Sequence, residues 1–295
     1  MIRATIFLMV CACGGAAPVA KPSSTATGPL SLAADAQMVT VPAGKFIAGS
    51  TPEERATAYD DFNSTAHRDT AKEQKWFEGE EDRHREVLPA YRIDLLPVTQ
   101  AAYAEFVTAG RAPAPAITED AWKAQGFEQD YATVVTKFAW KDGAPPQGKL
   151  DHPVVLVTAT EADAYCKWRG ELAGEVRRLP TSAEYEKAAR GDNGLAYPWG
   201  NTYEADKLNS AVKGPGDTVP VGQYPQGASM YGVLDMAGNV FEWTATPYEG
   251  GKRMVKGSAY EDFAGVGRGA GRHGRALAAR HVIVGFRCAA DAKPE

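Results

Sequence analysis

From Met38 to Ser50, β-branched and aromatic residues are interrupted by Pro42, Gly44 and Gly49, a pattern that predicts short strands joined by a turn. Tyr91-Arg92-Ile93-Asp94 resumes a strand, and Thr99 is placed to cap a helix that runs through Phe106 and Val107 and stops at Gly110. Two helices carry stronger start signals. In Thr158-Ala159-Thr160-Glu161, a hydroxyl and a carboxylate can satisfy backbone donors of the first turn, and Ala162, Tyr165, Cys166 and Ala173 then fall near one face. Cys166 therefore points inward. Thr181-Ser182-Ala183-Glu184 repeats the box after the stop Leu179-Pro180, with Tyr185, Ala188 and Ala189 as its apolar stripe. Beyond Gly191 the pattern predicts no long helix, only Gly-rich and Trp-rich loops with short strands such as Val282-Ile283-Val284 and Phe286-Arg287-Cys288. Residues 51–86 are charged and weakly patterned, carry Glu80-Glu81-Asp82, and read as a solvated excursion with some helix.

The first 13 residues hold one early cation, Arg3, a short apolar stretch, and Ala12 before a cysteine, which is the outline of a secretion signal. Val10-Cys11-Ala12-Cys13 resembles a bacterial lipobox and makes Cys13, with Cys11 as the alternative, the acylated N-terminus of the mature chain; the competing reading is an uncleaved start. Residues 14–37, rich in Ala, Pro, Ser and Thr, bury too little apolar surface to order and read as a tether. A domain over 38–291 and a tail over 292–295 complete the chain. The expectation is a lipoprotein of the bacterial cell envelope, on the outer membrane or the periplasmic face, meeting the membrane through its anchor only, because no apolar run is long enough to span a bilayer.

Lys plus Arg is 32 against 37 for Asp plus Glu, a net charge of -5, so no overall positive field exists to hold nucleic acid. Thirty Gly and 19 Pro argue against a helical bundle. Outside the signal the chain has two cysteines, Cys166 and Cys288, which can form one disulfide in an oxidising compartment or remain separate buried thiols. Gly269-Ala270-Gly271-Arg272-His273-Gly274 formally matches a dinucleotide loop, but no strand leads into it, and it reads as an ordinary Gly-rich loop. There is no nucleophile elbow and no P-loop.

Several words, in order, point further. Met38-Val39-Thr40-Val41-Pro42-Ala43-Gly44, Arg178-Leu179-Pro180-Thr181-Ser182-Ala183-Glu184-Tyr185-Glu186, Tyr197-Pro198-Trp199-Gly200, Gly238-Asn239-Val240-Phe241-Glu242-Trp243 and Gly285-Phe286-Arg287-Cys288-Ala289 resemble the sulfatase-modifying factor family, which contains the formylglycine-generating enzymes. The resemblance implies an α+β domain with a C-type-lectin-like core, loop-rich and low in regular secondary structure. It also implies a disulfide between Cys166 and Cys288. Asp235-Met236-Ala237-Gly238-Asn239-Val240-Phe241-Glu242 resembles the family's calcium loop, implying side-chain ligands from Asp235 and Glu242 and carbonyls from Gly238 and Val240. A second calcium site by the same resemblance would use Asn209 and the Ser210 carbonyl, with Asp217 as a further candidate, across a loop that is shorter here.

Formylglycine-generating enzymes oxidise a cysteine of a target sulfatase with oxygen and a copper(I) held by two cysteines five residues apart. At about the matching places this chain has Asp262 and Gly267, and neither is a soft donor. Copper chemistry of that kind is therefore not expected. The related iron-dependent sulfoxide synthases use a His-x3-His-x-Glu set, which none of His67, His84, His152, His273 and His281 forms. Arg268, Arg272 and Arg275, with Arg280, concentrate positive charge where relatives build a substrate groove, and are expected to hold an acidic peptide or anionic glycan unless they only balance the acidic excursion. The expected function is an exported, lipid-anchored domain, without formylglycine-generating activity, that binds a protein, peptide or glycan. The alternative is an oxidoreductase or maturation factor acting on exported proteins through a different constellation.

Overall fold

The computed structural model describes residues 37–127 and 129–293. The secretion signal, Cys11, Cys13 and the tether up to residue 36 lie outside the described residues, as does the end of the tail. No described helix is long and apolar enough to cross a membrane.

Three small sheets carry the chain. In the first, β1 (Met38–Val41), β4 (Tyr91–Asp94), β10 (Ala289–Asp291) and β5 (Arg177–Arg178) pair antiparallel in that order, with Met38 opposite Asp94 and Ala289 between Ile93 and Arg178. In the second, β2 (Gly44–Ala48) pairs antiparallel with β3 (His84–Leu88). The third has the order β8 (His273–Ala276), β7 (Lys252–Gly257), β6 (Phe241–Tyr248), β9 (Val284–Gly285), the last pair being parallel. Strands from near the two ends of the domain, β1 and β10, thus flank β4 in the first sheet.

The helices begin where the hydroxyl caps place them. Thr99 accepts from the Ala102 amide and starts α3 (Gln100–Thr108), Thr118 accepts from the Ala121 amide and starts α4 (Glu119–Ala124), Thr158 and Glu161 form the box that starts α5 (Ala159–Ala173), and Thr181 and Glu184 form the one that starts α6 (Ser182–Arg190). A cap of this type contributes about 1 kcal/mol. Cys166 is on the inner face of α5 and is joined to Cys288 by a disulfide, with the two Cα atoms 5.5 Å apart. Around it Tyr103, Phe106, Tyr165 and Phe286 form an edge-to-face and stacked aromatic core.

The segment between β2 and β3 departs from the expectation of a solvated excursion. Thr51 and Glu54 form a third capping box there and start α1 (Pro52–Ala66), followed by the short α2 (Thr70–Glu73). Ala58, Tyr59 and Phe62 make a narrow buried stripe that meets Phe77, Trp76 and Phe263. Polar and charged residues dominate this segment, and the few apolar positions among them, Ala58, Tyr59, Phe62, Ala71 and Phe77, are buried in the core. Beyond Gly191, the described residues hold only short 3-10 turns and strands, as the pattern predicts.

The disulfide closes 122 residues. Replacing both cysteines with Ala is expected to lower the unfolding free energy by roughly 3–5 kcal/mol in the chain-entropy picture, measured by urea titration of the two proteins under oxidising conditions. A loss below 1 kcal/mol would show that the unfolded chain is not restrained by this link.

Candidate functional site

The loop from Ala259 to Gly267, which follows β7, holds the two positions that matter for copper. Asp262 is partly buried, and its Oδ2 accepts from the Ala259 amide at 2.7 Å. Burial pushes its carboxyl up to about 7, with Glu261 adding to the rise and Arg275 opposing it. Gly267 has no side chain to offer, and a Cβ there would lie 2.9 Å from Ser258 Oγ. Ser258 Oγ in turn accepts from the Gly238 amide at 2.8 Å. A hard carboxylate and an occupied backbone niche stand where two thiolates would be needed.

The same loop faces a cleft of about 440 Å3. Phe138, Tyr260 and Phe263 supply its aromatic walls, and Lys137, Glu261 and Asp217 its charges. The Phe138 and Tyr260 rings stack at 6.1 Å. Lys149 Nζ sits 4.9 Å from the Phe138 ring centre and 2.7 Å from Asp217 Oδ1, so it braces the wall and neutralises that carboxylate. Glu261 receives Gln129 Nε2 at 2.9 Å, and burial holds its carboxyl above the usual range. Beside it the Arg275 guanidinium is pulled down by burial, and its Nε is buried without a hydrogen-bond partner among the described residues. Glu261, Asp262 and Arg275 therefore gather at one place, a result that needed the chain's fold, since the carboxylates come from the loop after β7 and the guanidinium from β8.

The other arginines do not form the shared basic groove expected of them. Arg268 is 2% exposed and pairs with Glu80 at 3.0 Å; Arg272 donates to the Gly79 carbonyl and pairs with Glu81 at 2.6 Å. Arg280 pairs with Glu161 and donates to the Leu156 carbonyl at 2.7 Å. The acidic segment near β3 thus supplies internal partners for two of these cations. Residues 269–274 run from a turn into β8, with no helix after them, so the glycine motif is structural. His281 packs against Trp122 and Phe127, with ring centres 5.2 and 4.0 Å away, and His273 against Phe241; burial pushes these imidazoles down to about 3 and 4.

The residues aligned with calcium ligands meet different fates. Glu242 is fully buried, and both of its oxygens are taken by Arg287, Nε at 2.7 Å and Nη2 at 2.8 Å. Asp235 accepts the Gly222 amide at 2.7 Å, and burial raises its carboxyl to about 6. The Gly238 carbonyl accepts from the Val240 amide. Much of this loop's oxygen is thus committed to Arg287 and backbone donors. At the second place, Asn209 Oδ1 is buried and has no hydrogen-bond partner among the described residues. A Cβ on Gly214 would collide with that oxygen and lie 2.6 Å from the Ser210 carbonyl, so the two oxygens line one small cradle that only glycine leaves open. Asp217 follows, its own carbonyl accepting from Asn209 Nδ2 at 2.8 Å. The amide oxygen is a free hard donor, whereas the Ser210 carbonyl also accepts the Gly214 amide at 2.7 Å and the Asp217 carboxylate is already paired with Lys149. Among the described residues no three His, Cys, Asp or Glu side chains converge as a metal set, so backbone and amide oxygens carry any such site.

Residues 25–292 match the family model described as the sulfatase-modifying factor enzyme 1-like domain. The chain is 30% identical over 301 residues to the inactive C-alpha-formylglycine-generating enzyme 2 of Mus musculus, covering 88% of this chain and 87% of that protein. It is 34% identical over 182 residues to the hercynine oxygenase of Mycolicibacterium smegmatis, covering 58% of this chain and 40% of that protein. Among solved structures, PvdO from Pseudomonas aeruginosa superimposes with a TM-score of 0.63 at 22% identity, covering 86% of this chain and 94% of that one, a likeness of fold.

The Glu242–Arg287 pair makes a test of the site's framework. Replacing Arg287 with Met alone is expected to destabilise by roughly 3–5 kcal/mol, because Glu242 is left charged and buried. Adding Glu242→Leu should recover part of that loss, so that a double-mutant cycle in urea gives a coupling energy above about 1 kcal/mol. Additive losses would mean that the two groups are stabilised separately.

Proposed function

The chain belongs to the sulfatase-modifying factor family, and on that premise we propose that it is a member without copper-dependent formylglycine formation that holds a segment of an exported protein in the cleft of Phe138, Tyr260, Glu261 and Phe263. The observation that carries this reading is the donor chemistry of the loop: Asp262 and Gly267 replace soft sulfur, and the two cysteines of the described residues are consumed in one disulfide. Likeness to an inactive formylglycine-generating enzyme over most of both chains supports it. The cleft offers flat apolar faces for a side chain or a sugar ring and a half-desolvated carboxylate for a cation, so a peptide that presents a basic residue suits it better than an acidic one.

A second reading is an oxidoreductase or maturation factor that works through other residues. Likeness to a hercynine oxygenase supports it, as does the cluster of Glu261, Asp262 and Arg275, where two carboxyls with raised proton affinity adjoin a cation. Calcium bound through Asn209, the Ser210 carbonyl and Asp217 would brace the wall of the cleft, since Asp217 and Gly214 also line it. Acylation of Cys13 would hold the domain at the cell envelope, with the tether setting its reach.

A peptide carrying the sulfatase Cys-x-Pro-x-Arg motif, incubated with the protein, copper(I) and oxygen and then weighed, is expected to keep its mass; conversion to the aldehyde would reverse the reading. The same peptide, fluorescently labelled, should bind, and Glu261→Gln should weaken it by about tenfold, the loss of one charge-assisted contact; equal binding by the variant would remove the cleft from the proposal. Calcium in place of chelator should raise the unfolding temperature of the wild type, with a gain near 2.7 kcal/mol at about 100 times Kd, and not that of Asn209→Ala. Mass analysis of the mature protein should find diacylglycerol on Cys13.

A further inference from the structure

A second cavity, of about 270 Å3, lies between α1 and the turn after α6, and it shares no lining residue with the cleft. Glu54, Thr57 and Asp61, three and then four residues apart, form one stripe of α1 along its wall, beside the stripe of Ala58, Tyr59 and Phe62 that enters the core. The charged donors elsewhere in the wall are engaged within the protein. Arg83 pairs with Glu54 and donates to the Asn193 carbonyl at 3.4 Å, while Arg268 is sealed from solvent and gives Nη1 to Glu80 at 3.0 Å. Asn193 and Asn201 stand exposed at the rim.

Asp61 is the charge of this wall that no ion pair reaches among the described residues. Its Oδ2 accepts the Tyr197 hydroxyl at 3.1 Å, whereas Oδ1 has no hydrogen-bond partner among the described residues and, on a half-buried side chain, is still open to solvent. Burial holds the carboxyl above the usual range, and the like charge of Asp60 adds to the rise, against the hydrogen bond from Tyr197 and the pull of Arg268. One turn earlier, the exposed Thr57 hydroxyl donates to the Glu53 carbonyl at 3.0 Å, so its oxygen keeps lone pairs to offer. Asp61 Oδ1 and Thr57 Oγ1 are thus neighbouring acceptors on one face of the helix, and one of them carries an unpaired charge. An anion is repelled there, and a neutral hydroxyl leaves the charge unpaired. An ammonium group brings three donors, no acceptor and the opposite charge.

We propose that this cavity binds a small primary amine in its ammonium form, the charged head donating to Asp61 Oδ1 and Thr57 Oγ1 and the short alkyl chain lying toward Ala196. Tyr197, whose hydroxyl also receives the Gly265 amide at 3.1 Å, holds the Asp61 carboxylate in place as a positioning residue. The volume is at the low end for small-molecule sites, which suits a chain of a few carbons.

Saturation-transfer NMR on the full chain at neutral pH and low salt, with butylammonium, butan-1-ol and butyrate as probes that differ in their head group, tests the assignment. Saturable binding of butylammonium with Kd on the order of 1 mM is expected, and none of the other two. Asp61→Asn keeps an acceptor for Tyr197 and should weaken binding about tenfold, the loss of a hydrogen bond to a charged group. Asp60→Asn removes the same charge from the exposed neighbour and should cost less than about twofold, because a contact, unlike a diffuse field, is lost only where it is made. Thr57→Trp, an exposed change that fills the edge of the cavity, should abolish binding while leaving the thermal unfolding curve in place. No saturable binding of butylammonium, equal binding of the alcohol or the carboxylate, equal losses in the two aspartate variants, or unchanged affinity in Thr57→Trp would overturn the proposal.

Discussion

One buried guanidinium ties the molecule together. Arg287 spends its donors on both oxygens of Glu242 and on the carbonyls of Asp94, Leu95, Leu234 and Asp235. It thereby joins the end of β4, the loop before β6 and β6 itself at a point with no access to water. Such a pair is a poor source of net stability, because desolvating two ions offsets their attraction, yet removing one partner is costly. Its effect is to specify one arrangement. The next residue, Cys288, enters the disulfide and gives its amide to Asp94, so the C-terminal segment is locked to α5 and β4 at neighbouring positions.

The same logic recurs around α6. Glu186 receives Arg190 and Lys256 and the Gly49 amide, and Arg190 goes on to the carbonyls of Gly49, Gly194 and Leu195. A fold with few long elements leaves many loop carbonyls buried, and each needs a donor. Long cationic side chains meet that need over distances that backbone amides cannot reach. The arginines after β7 belong to this system: Arg268 and Arg272 are turned toward the segment between β2 and β3, and their charge is used inside the molecule.

What remains for function is set by the hardness of the donors and the shape of the openings. The proposed binding of a hard cation and a chain segment draws on oxygen donors and an aromatic cleft, and Asp262 and Gly267 offer copper(I) no sulfur. Burial raises the proton affinity of the carboxyls of Glu261 and Asp262, as it does that of Asp94 and Asp235 in the framework around Arg287.

Local chemistry was legible in the chain itself. Capping boxes at Thr158 and Thr181 depend on residues three apart, so they announce helices without knowledge of the fold. The family words carried the α+β architecture, and the missing thiols at Asp262 and Gly267 were plain from residue identity. Other features were not legible because their partners are distant. The box at Thr51 was written in the same local code, but a charged surround with only Ala58, Tyr59 and Phe62 facing inward hid the packing of α1. Glu242 could be matched to a calcium loop, and only the approach of Arg287, 45 residues away, commits its oxygens. Arg268 was a cation in a run of cations until Glu80, 188 residues earlier, neutralised it and left one nitrogen buried with no partner among the described residues. Residue type and short spacing decide which bonds a segment can make alone; which charges meet, and which polar atoms are buried without a partner, depends on packing between remote segments, and that only the tertiary structure decided.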